Sequence, residues 1–316
     1  MTSKAKSIII LSFVIFTVQC SWAVNTNTDF AVTAIAENIY SIVSPSIGLP
    51  TPENQGWNSN SHFVVTENGV LLFDTGSSEA IGNKIRKAIQ SVTDQPVRWV
   101  INSHSHADHW LGNAAFSDAE IIASTEAMET MQKYGRDDVA FYHKVTNGTI
   151  GTTHLVYPNL LLNEPLKRNF GGVEVELLFA NNGHSPGDIL MWLPQQKVMI
   201  GGDILSSDYL PMITDHGDID GLINTLHAVV ELTPSIVLTG HGSATTVASV
   251  GRDAELLSSV WEQVKLDHKS GLTPDKTLSA VSVKLGSKYG PLYKDFTTEL
   301  DRHVKLMYQL QEGNGE

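Results

Sequence analysis

Short runs of alternating or wholly apolar residues recur along the chain and predict β-strands. In the first half these runs cover residues 39–43, 62–65, 70–73, 97–102 and 121–123. In the second half they cover residues 173–179, 189–193, 197–200 and 236–239. Period-two alternation with many β-branched or aromatic side chains is typical of half-buried strands. The turn Glu67-Asn68-Gly69 between two of the runs indicates a β-hairpin.

Helical periodicity separates several of the predicted strands. Residues 78–90 and 124–134 have amphipathic patterns, and each begins close to a serine or threonine that can cap a helix. Residues 251–316 are rich in helix formers, with apolar side chains at helical spacing at Leu256, Leu257, Val260, Trp261 and Val264. We expect residues 24–36 to be loosely ordered and residues 44–61, rich in Pro, Gly, Asn and Ser, to form a long loop. Strands interspersed with helices predict an α/β protein.

The N-terminal segment has the composition of a signal peptide. Two lysines precede an apolar run over residues 7–18, and small residues flank a cleavage position after Ala23. The run has the length of a signal h-region and is short for a membrane span. We therefore expect residues 1–23 to be a signal peptide and the protein to be exported, periplasmic or secreted, without stable membrane insertion after cleavage. An uncleaved anchor, or lipidation of Cys20, the only cysteine, stays open.

Acidic residues outnumber basic residues by 34 to 21, for a formal net charge of −13. This balance argues against nucleic acid or an anionic membrane surface as a partner, because both attract basic proteins. A small-molecule substrate is the expected partner. The 316 residues are enough for one large domain, and nothing in the sequence predicts an oligomeric state.

Three histidines and an aspartate fall within six residues, directly after the predicted strand 97–102. They are His104, His106, Asp108 and His109. Neutral imidazole and carboxylate groups are ligands that zinc, iron and manganese accept. On an extended strand end His104 and His106 point to the same side, so both can bind one metal. Asp108 and His109 continue round the turn and can face a second metal.

The pattern His-x-His-x-Asp-His after a hydrophobic strand resembles the signature of the metallo-β-lactamase superfamily. Its later motifs follow in order, each at the end of a predicted strand: His184 after Gly183, Asp203 after Gly202, and His241 between two glycines. The resemblance implies that His184 completes a first metal site with His104 and His106. It also implies that Asp203 bridges two metals and that His241 joins Asp108 and His109 on the second.

The resemblance also implies the architecture, an αββα sandwich of two mixed sheets with helices outside. Its first half would run to about Leu162 and its second would begin near Val173. Residues 24–316 would form one metallo-β-lactamase-like domain, with residues 251–316 as a C-terminal helical extension packed on it. By the same resemblance Asp74, in the motif Asp74-Thr75-Gly76, lies beneath the metal site and orients the histidine loop. A plain helix cap is the alternative role for Asp74.

The ligand set implies the chemistry of a dinuclear, metal-dependent hydrolase. With the predicted signal peptide, we expect this hydrolase to be exported. Two zinc ions (Zn²⁺) are the default cofactor, and iron or manganese suits the same ligands. Such metals lower the pKa of a bridging water toward neutrality, and the metal-bound hydroxide attacks the substrate. Asp108 would bind the second metal and also receive a proton. The expected substrate is a small ester, thioester, lactone or amide.

Three alternatives stay open. The first is β-lactam hydrolysis, although Asp203 stands where one large class of β-lactamases has cysteine, and residues 204–208 contain no lysine. The second is an oxidoreductase resembling the persulfide dioxygenases, with one iron on His104, His184 and Asp203. The third is a non-catalytic metal-binding accessory protein. Within the hydrolases, the layout with an export signal looks most like the secreted zinc metallohydrolases associated with quinoprotein systems.

Two aromatic residues are candidates for the substrate cleft. Trp57 lies in the long loop 44–61, which is our candidate for a segment closing over the cleft. It either walls the cleft or anchors the loop on the core. Tyr209 follows Asp203 closely and either stabilises an oxyanion with its hydroxyl or packs in the core.

Overall fold

The computed structural model describes residues 23–24, 30–45, 48–180 and 182–313. The predicted signal peptide, with Cys20, lies outside the described residues except for Ala23. Within the described part of the chain, none of the helices combines the length and apolar content that crossing a bilayer requires.

The first half of the chain forms an eight-stranded mixed sheet in which the strands follow one another in sequence order. Neighbours from β1 to β5 are antiparallel, and neighbours from β5 to β8 are parallel. The strands are β1 Ala23–Val24, β2 Val32–Ala36, β3 Ile39–Ile42, β4 Ser61–Thr66, β5 Gly69–Phe73, β6 Val97–Ile101, β7 Glu120–Ser124 and β8 Leu160–Leu162.

The second half forms a five-stranded sheet in the order β13-β12-β11-β10-β9. Its pairs are antiparallel except for β12 with β13, which are parallel. The strands are β9 Leu166–Phe170, β10 Val173–Phe179, β11 Ile189–Leu193, β12 Val198–Ile200 and β13 Ile236–Leu238.

The two sheets pack face to face, and helices cover their outer faces. Alternation along β5 shows how: Leu71 and Phe73 enter the core between the sheets with Leu177 and Met191 of the second sheet, whereas Leu72 faces outward. The predicted αββα sandwich is confirmed. The helices are α1 Glu79–Gln90, α2 Ala107–Trp110, α3 Thr125–Val145, α4 Ile219–Glu231, α5 Val247–Lys269, α6 Pro274–Tyr289 and α7 Phe296–Gly313.

The two outer faces are covered by different helices. Helix α1 buries Ile81, Ile85 and Ile89 against the outer face of the first sheet. Helices α4 to α7 share one core with residues of the second sheet, which include Leu190 and Met199. The apolar positions predicted at helical spacing in the C-terminal extension are those that α5 buries in this core.

Three predicted boundaries differ from the structure. Part of the region expected to be loosely ordered is β2, because Val32 is buried and the strand pairs with β3. The second sheet begins with β9, before Val173, although β9 has only weak alternation. Helix α3 runs through Gly135 to Val145, beyond its predicted end at residue 134. Packing requires a glycine at position 135, because a Cβ there would come within 2.9 Å of the Trp110 ring.

Candidate metal centre

Five loops meet at one end of the sandwich, and each follows the carboxyl end of a strand. They come after β5, β6, β10, β12 and β13. These loops carry every residue that the sequence predicted as a metal ligand, together with Asp74. The arrangement follows from the fold, since strand ends at one edge of an α/β structure form the usual crevice for a site.

The first group of ligand atoms belongs to His104, His106 and His184. Their ring centroids lie 4.7 to 4.9 Å apart. His184 Nε2 lies 2.9 Å from His106 Nδ1, so ring nitrogens of different rings point at one space. Together with an Asp203 oxygen, one atom from each residue falls within a 4.8 Å cluster of the kind that can hold a metal ion.

The second group belongs to Asp108, His109 and His241, whose ligand atoms also fall within 4.8 Å of one another. Asp108 Oδ2 lies 3.3 Å from His241 Nε2 and 3.7 Å from His109 Nε2. Both rings therefore present Nε2 to the same space as the carboxylate.

Asp203 stands between the two groups, with one carboxylate oxygen toward each. Its Oδ2 lies 3.5 Å from His184 Nε2 and 3.9 Å from His104 Nε2. Its Oδ1 lies 3.2 Å from His109 Nε2 and 3.3 Å from His241 Nε2. This is the geometry of a carboxylate that can bridge two cations.

Three atoms of the cluster are buried with no hydrogen-bond partner among the described residues: His104 Nε2, His109 Nε2 and Asp203 Oδ1. Burying such atoms unpaired costs about 1–3 kcal/mol each. All three point into the space between the ligand groups. The residues therefore fit a pair of divalent cations bound by nitrogen and oxygen donors.

Asp74 lies directly beneath the histidine loop. Its Oδ1 accepts a 2.7 Å hydrogen bond from the Ser103 backbone N–H, and its Oδ2 lies 2.8 Å from both Ser103 Oγ and His109 Nδ1. Ser78, not Asp74, caps helix α1, because its side chain accepts from the Ile81 N–H. The position of Asp74 suits the orientation of His109, whose Nε2 then faces the other ligands.

Backbone carbonyls fix two further rings. His184 Nδ1 lies 3.0 Å from the Met212 carbonyl oxygen, and His241 Nδ1 lies 2.7 Å from the Asn58 carbonyl oxygen. A carbonyl can only accept, so Nδ1 carries the proton in both rings and Nε2 is the ligand atom.

The segment Asn58-Ser59-Asn60 is a part of the site that sequence reasoning missed. Asn58 Nδ2 donates to Asp108 Oδ2 over 2.9 Å, and Ser59 Oγ donates to the Asp108 carbonyl over 2.5 Å. Asn60 Nδ2 donates to two carbonyl oxygens of the loop that carries His241. This end of the loop 44–61 is part of the floor of the site and does not close over the cleft. The only sequence feature of this segment is a run of small polar residues before a buried strand. That feature does not have the spacing of metal ligands and so did not indicate a role in the site.

The two ligand groups differ in their pKa values. Burial, together with the neighbouring His184, lowers the pKa of His106 to about 4. Burial would also lower the pKa of His241, but the Asp203 and Asp108 carboxylates raise it to about 10. Burial and the neighbouring rings also lower the pKa of His104. The pKa of His109 is raised, because its carboxylate neighbours outweigh the effect of burial.

A cleft of about 750 Å³ opens beside the first ligand group. His106 lies at its base. Helix α3 forms one wall with Glu129, Lys133 and Asp138, and two loops form the other walls with residues that include Pro186 and His216. The volume is typical of a pocket for a small molecule. Among the described residues that line it, Lys133 is the one lysine or arginine.

Trp57 and Tyr209, the two predicted cleft residues, do not line this cleft. Trp57 stacks on Phe30 with ring centroids 3.6 Å apart, which corresponds to the predicted alternative of a hydrophobic anchor. Lys294 Nζ lies 5.2 Å over the Tyr209 ring, so Tyr209 packs beside the segment that precedes α7.

Comparison with known proteins gives consistent results. The sequence profile described as the metallo-beta-lactamase superfamily matches residues 54–241. A linear primary-alkylsulfatase from Pseudomonas sp. is 20% identical over 76% of this chain, and the match spans 53% of the relative. The type 2 metallo-beta-lactamase of Bacteroides fragilis is 23% identical over 75% of this chain and 90% of the relative.

Solved structures with the same fold come from both kinds of enzyme. A metallo-beta-lactamase from Pontibacter korlensis has a TM-score of 0.58 and 19% identity, covering 73% of this chain and 99% of its own. A stereoselective inverting sec-alkylsulfatase from Pseudomonas sp. has a TM-score of 0.64 and 16% identity, covering 88% of this chain and 49% of its own. The chain thus spans about half the length of the alkylsulfatases that it resembles.

Proposed function

Because this chain belongs to the metallo-β-lactamase superfamily, we propose that it is an exported hydrolase that uses two divalent metal ions, with zinc as the default. The proposed substrate is a small ester, thioester, lactone or amide. One observation carries the proposal: the two oxygens of Asp203 face two separate groups of ligand atoms. A single-metal centre on His104, His184 and Asp203 would use only the Asp203 oxygen that faces the first group, and would leave Asp108, His109 and His241 without a metal.

The chain's own residues divide into two holding groups and one shared ligand. His104, His106 and His184 would hold the first ion, and Asp108, His109 and His241 the second, with Asp203 between them. When bound, the ions would supply an acidified water as nucleophile and a positive charge for the developing oxyanion.

Asp108 is suited to move a proton. Burial would raise its pKa, but the neighbouring His109 and His241 lower it to about 2, so the carboxylate is ionised at neutral pH. The Asn58 amide holds one of its oxygens in place. An ionised, oriented carboxylate beside the reacting water can accept its proton and pass it to the leaving group.

The export proposal is supported by the sequence alone. The apolar run at residues 7–18 and the small residues before position 24 are the support. Expression of the full chain in a Gram-negative host, followed by N-terminal sequencing of the periplasmic fraction, tests it. A mature terminus at Val24 is expected, and retention of the intact chain in the cytoplasm would contradict export.

A substrate with an anionic group is a second candidate, favoured by the position of Lys133 in the cleft wall. Its Nζ lies 4.8 Å over the Tyr134 ring, and it makes no ion pair within the described residues. Alkyl sulfate esters and β-lactams, the substrates named for the relatives, both carry such a group. Either would place its charge near Lys133 while its scissile bond lies near His106.

Turnover on a panel of substrates tests the proposal. The panel would contain a lactone, a thioester, a chromogenic cephalosporin and a primary alkyl sulfate, each assayed before and after chelation. We expect hydrolysis of at least one compound, lost with chelator and restored by zinc. The absence of hydrolysis from the zinc-loaded protein on all four would contradict the proposal and direct attention to the iron oxidoreductase or the non-catalytic alternative.

A further inference from the structure

Asn58 makes contact with two of the three members of the second ligand group. Its side-chain Nδ2 donates to Asp108 Oδ2 over 2.9 Å, and its backbone carbonyl accepts from His241 Nδ1 over 2.7 Å. The residue is buried, with only 6% of its surface exposed. One residue therefore sets the orientation of a carboxylate and of an imidazole that come from different loops.

The backbone contact selects the ligand atom of His241. Because the Asn58 carbonyl holds the proton on Nδ1, Nε2 is left to face Asp203 Oδ1, 3.3 Å away. Contacts of this kind behind a metal-binding histidine fix its tautomer and its ring plane.

The side-chain contact holds Asp108 without adding charge. An amide donor orients the carboxylate but, unlike lysine or arginine, does not compete with a cation for it. The Asp108 oxygen that accepts this bond is the one that lies 3.3 Å from His241 Nε2. The amide therefore aligns the carboxylate with the ring that the same residue holds.

The orientation of the amide comes at the expense of fold stability. Asn58 Oδ1 is buried without a hydrogen-bond partner among the described residues. Rotating the amide by half a turn would place this oxygen against the Asp108 carboxylate, so the observed orientation is forced. An unpaired buried amide oxygen costs about 1–3 kcal/mol.

We propose that Asn58 is a positioning residue for the second metal ion and sets the affinity of that site relative to the first. This inference rests on the proposed two-metal function. Among the described residues, the hydrogen bonds of Asn58 to ligand residues go to Asp108 and His241 of the second group, so we expect a change at this position to act on that site.

A zinc titration of the metal-free full-length protein tests the inference, and cobalt absorption spectra report the geometry at each site. In the unchanged protein we expect two binding steps. In Asn58→Ala, which keeps the carbonyl but lacks the amide, the second step should weaken about 10–100-fold while the first is unchanged. The unfolding temperature of the metal-free variant should fall modestly, because Asp108 loses its amide donor while the unpaired oxygen is removed.

Two further variants complete the experiment. Asn159→Ala is the matched control, since its amide contacts only Ile121 N and the Ala119 carbonyl, away from the ligands. Asn58→Leu fills the space if the alanine variant does not fold, and the same loss is expected. A second-site affinity in the Asn58 variants equal to that of the unchanged protein overturns the inference, as does an equal loss of affinity at both sites. Uptake of a single zinc ion by the unchanged protein overturns the two-metal function and this inference with it.

Discussion

The two ligand groups differ in what stands behind them. Behind the first group are a serine hydroxyl at His104 Nδ1 and one backbone carbonyl at His184, and His106 opens to the cleft. Behind the second group are the Asp74 carboxylate at His109 and the Asn58 carbonyl at His241. The first group therefore faces the cleft, and the second is enclosed by acceptors that increase the basicity of its rings.

This difference indicates how the two sites bind metal. With a pKa of about 4, His106 is neutral at physiological pH and ready to bind a cation. With a pKa of about 10 in the metal-free protein, His241 holds a proton that a metal must displace. We infer that metal binding at the first site releases no histidine proton and that metal binding at the second site does.

Asp203→Asn is the substitution with the largest expected effect, because it removes the carboxylate that faces both groups. Hydrolysis should fall roughly thousand-fold or more, since several kcal/mol of transition-state stabilisation depends on the metals and about 1.4 kcal/mol is tenfold in rate. Metal analysis should show less than two bound ions. Asp208→Asn, an exposed carboxylate in the same loop, is the control. Two tightly bound ions and full activity in Asp203→Asn would remove the basis for a bridged centre.

Lowering the pH separates the two sites. Between pH 8 and pH 6 the His241 proton must leave before metal binds, and His109 also has a raised pKa, so second-site affinity should fall at least tenfold per pH unit. First-site affinity should change little, because His106 is unprotonated throughout this range. Zinc isotherms at three pH values measure both. Equal pH dependence at the two sites would contradict the comparison.

Asp74→Asn sharpens the comparison by removing the charge that lies directly behind His109, whereas Asp74 reaches the first group only through the Ser103 hydroxyl beside His104. The amide keeps the size of the side chain and tolerates the φ of +62° at this position. Loss of the charge beside His109 should weaken the second metal about 10–100-fold and leave the first in place. Asp118→Ala, at an exposed ion pair with Arg86, controls for a general loss of negative charge. Weakening of the first site alone would contradict the assignment of Asp74 to the second group.

Lys133→Ala tests the open side of the site and has the smallest expected effect. For an anionic substrate we expect KM to rise about two- to fivefold, in keeping with the modest strength of exposed charge pairs, with metal content unchanged. Lys144→Ala, near the end of the same helix and outside the cleft, is the control. If neutral and anionic substrates respond alike, Lys133 does not select for charge.

The ligands were predictable because each follows a strand whose apolar pattern is evident in the sequence. Once the strand ends are located, histidines and aspartates that follow a glycine there, such as His184 and Asp203, can be recognised as candidate ligands. The sandwich could be anticipated from the same pattern. Strand β2 was not, because its short pattern becomes stable only through pairing with β3.

Apart from Asp74, which the family resemblance implied, the surroundings of the ligands were not predictable from the sequence. Asn58 and Lys133 have no sequence pattern of their own, since their roles depend on which loop or helix face lies beside the metal centre. Trp57 and Tyr209 were predicted at the cleft from their positions in the sequence, in the loop 44–61 and close to Asp203. In the structure, contacts with Phe30 and Lys294 determine where those rings lie. Contacts between distant segments settle such positions, and local patterns do not encode them.

Anomalous diffraction at the zinc edge, from crystals of the zinc-loaded protein, is the most direct test of a two-metal centre. A two-metal centre would give two peaks, one on each side of Asp203. One should lie among His104, His106 and His184, and the other among Asp108, His109 and His241. A single peak at saturating zinc, or a second peak away from Asp108 and His241, would contradict it.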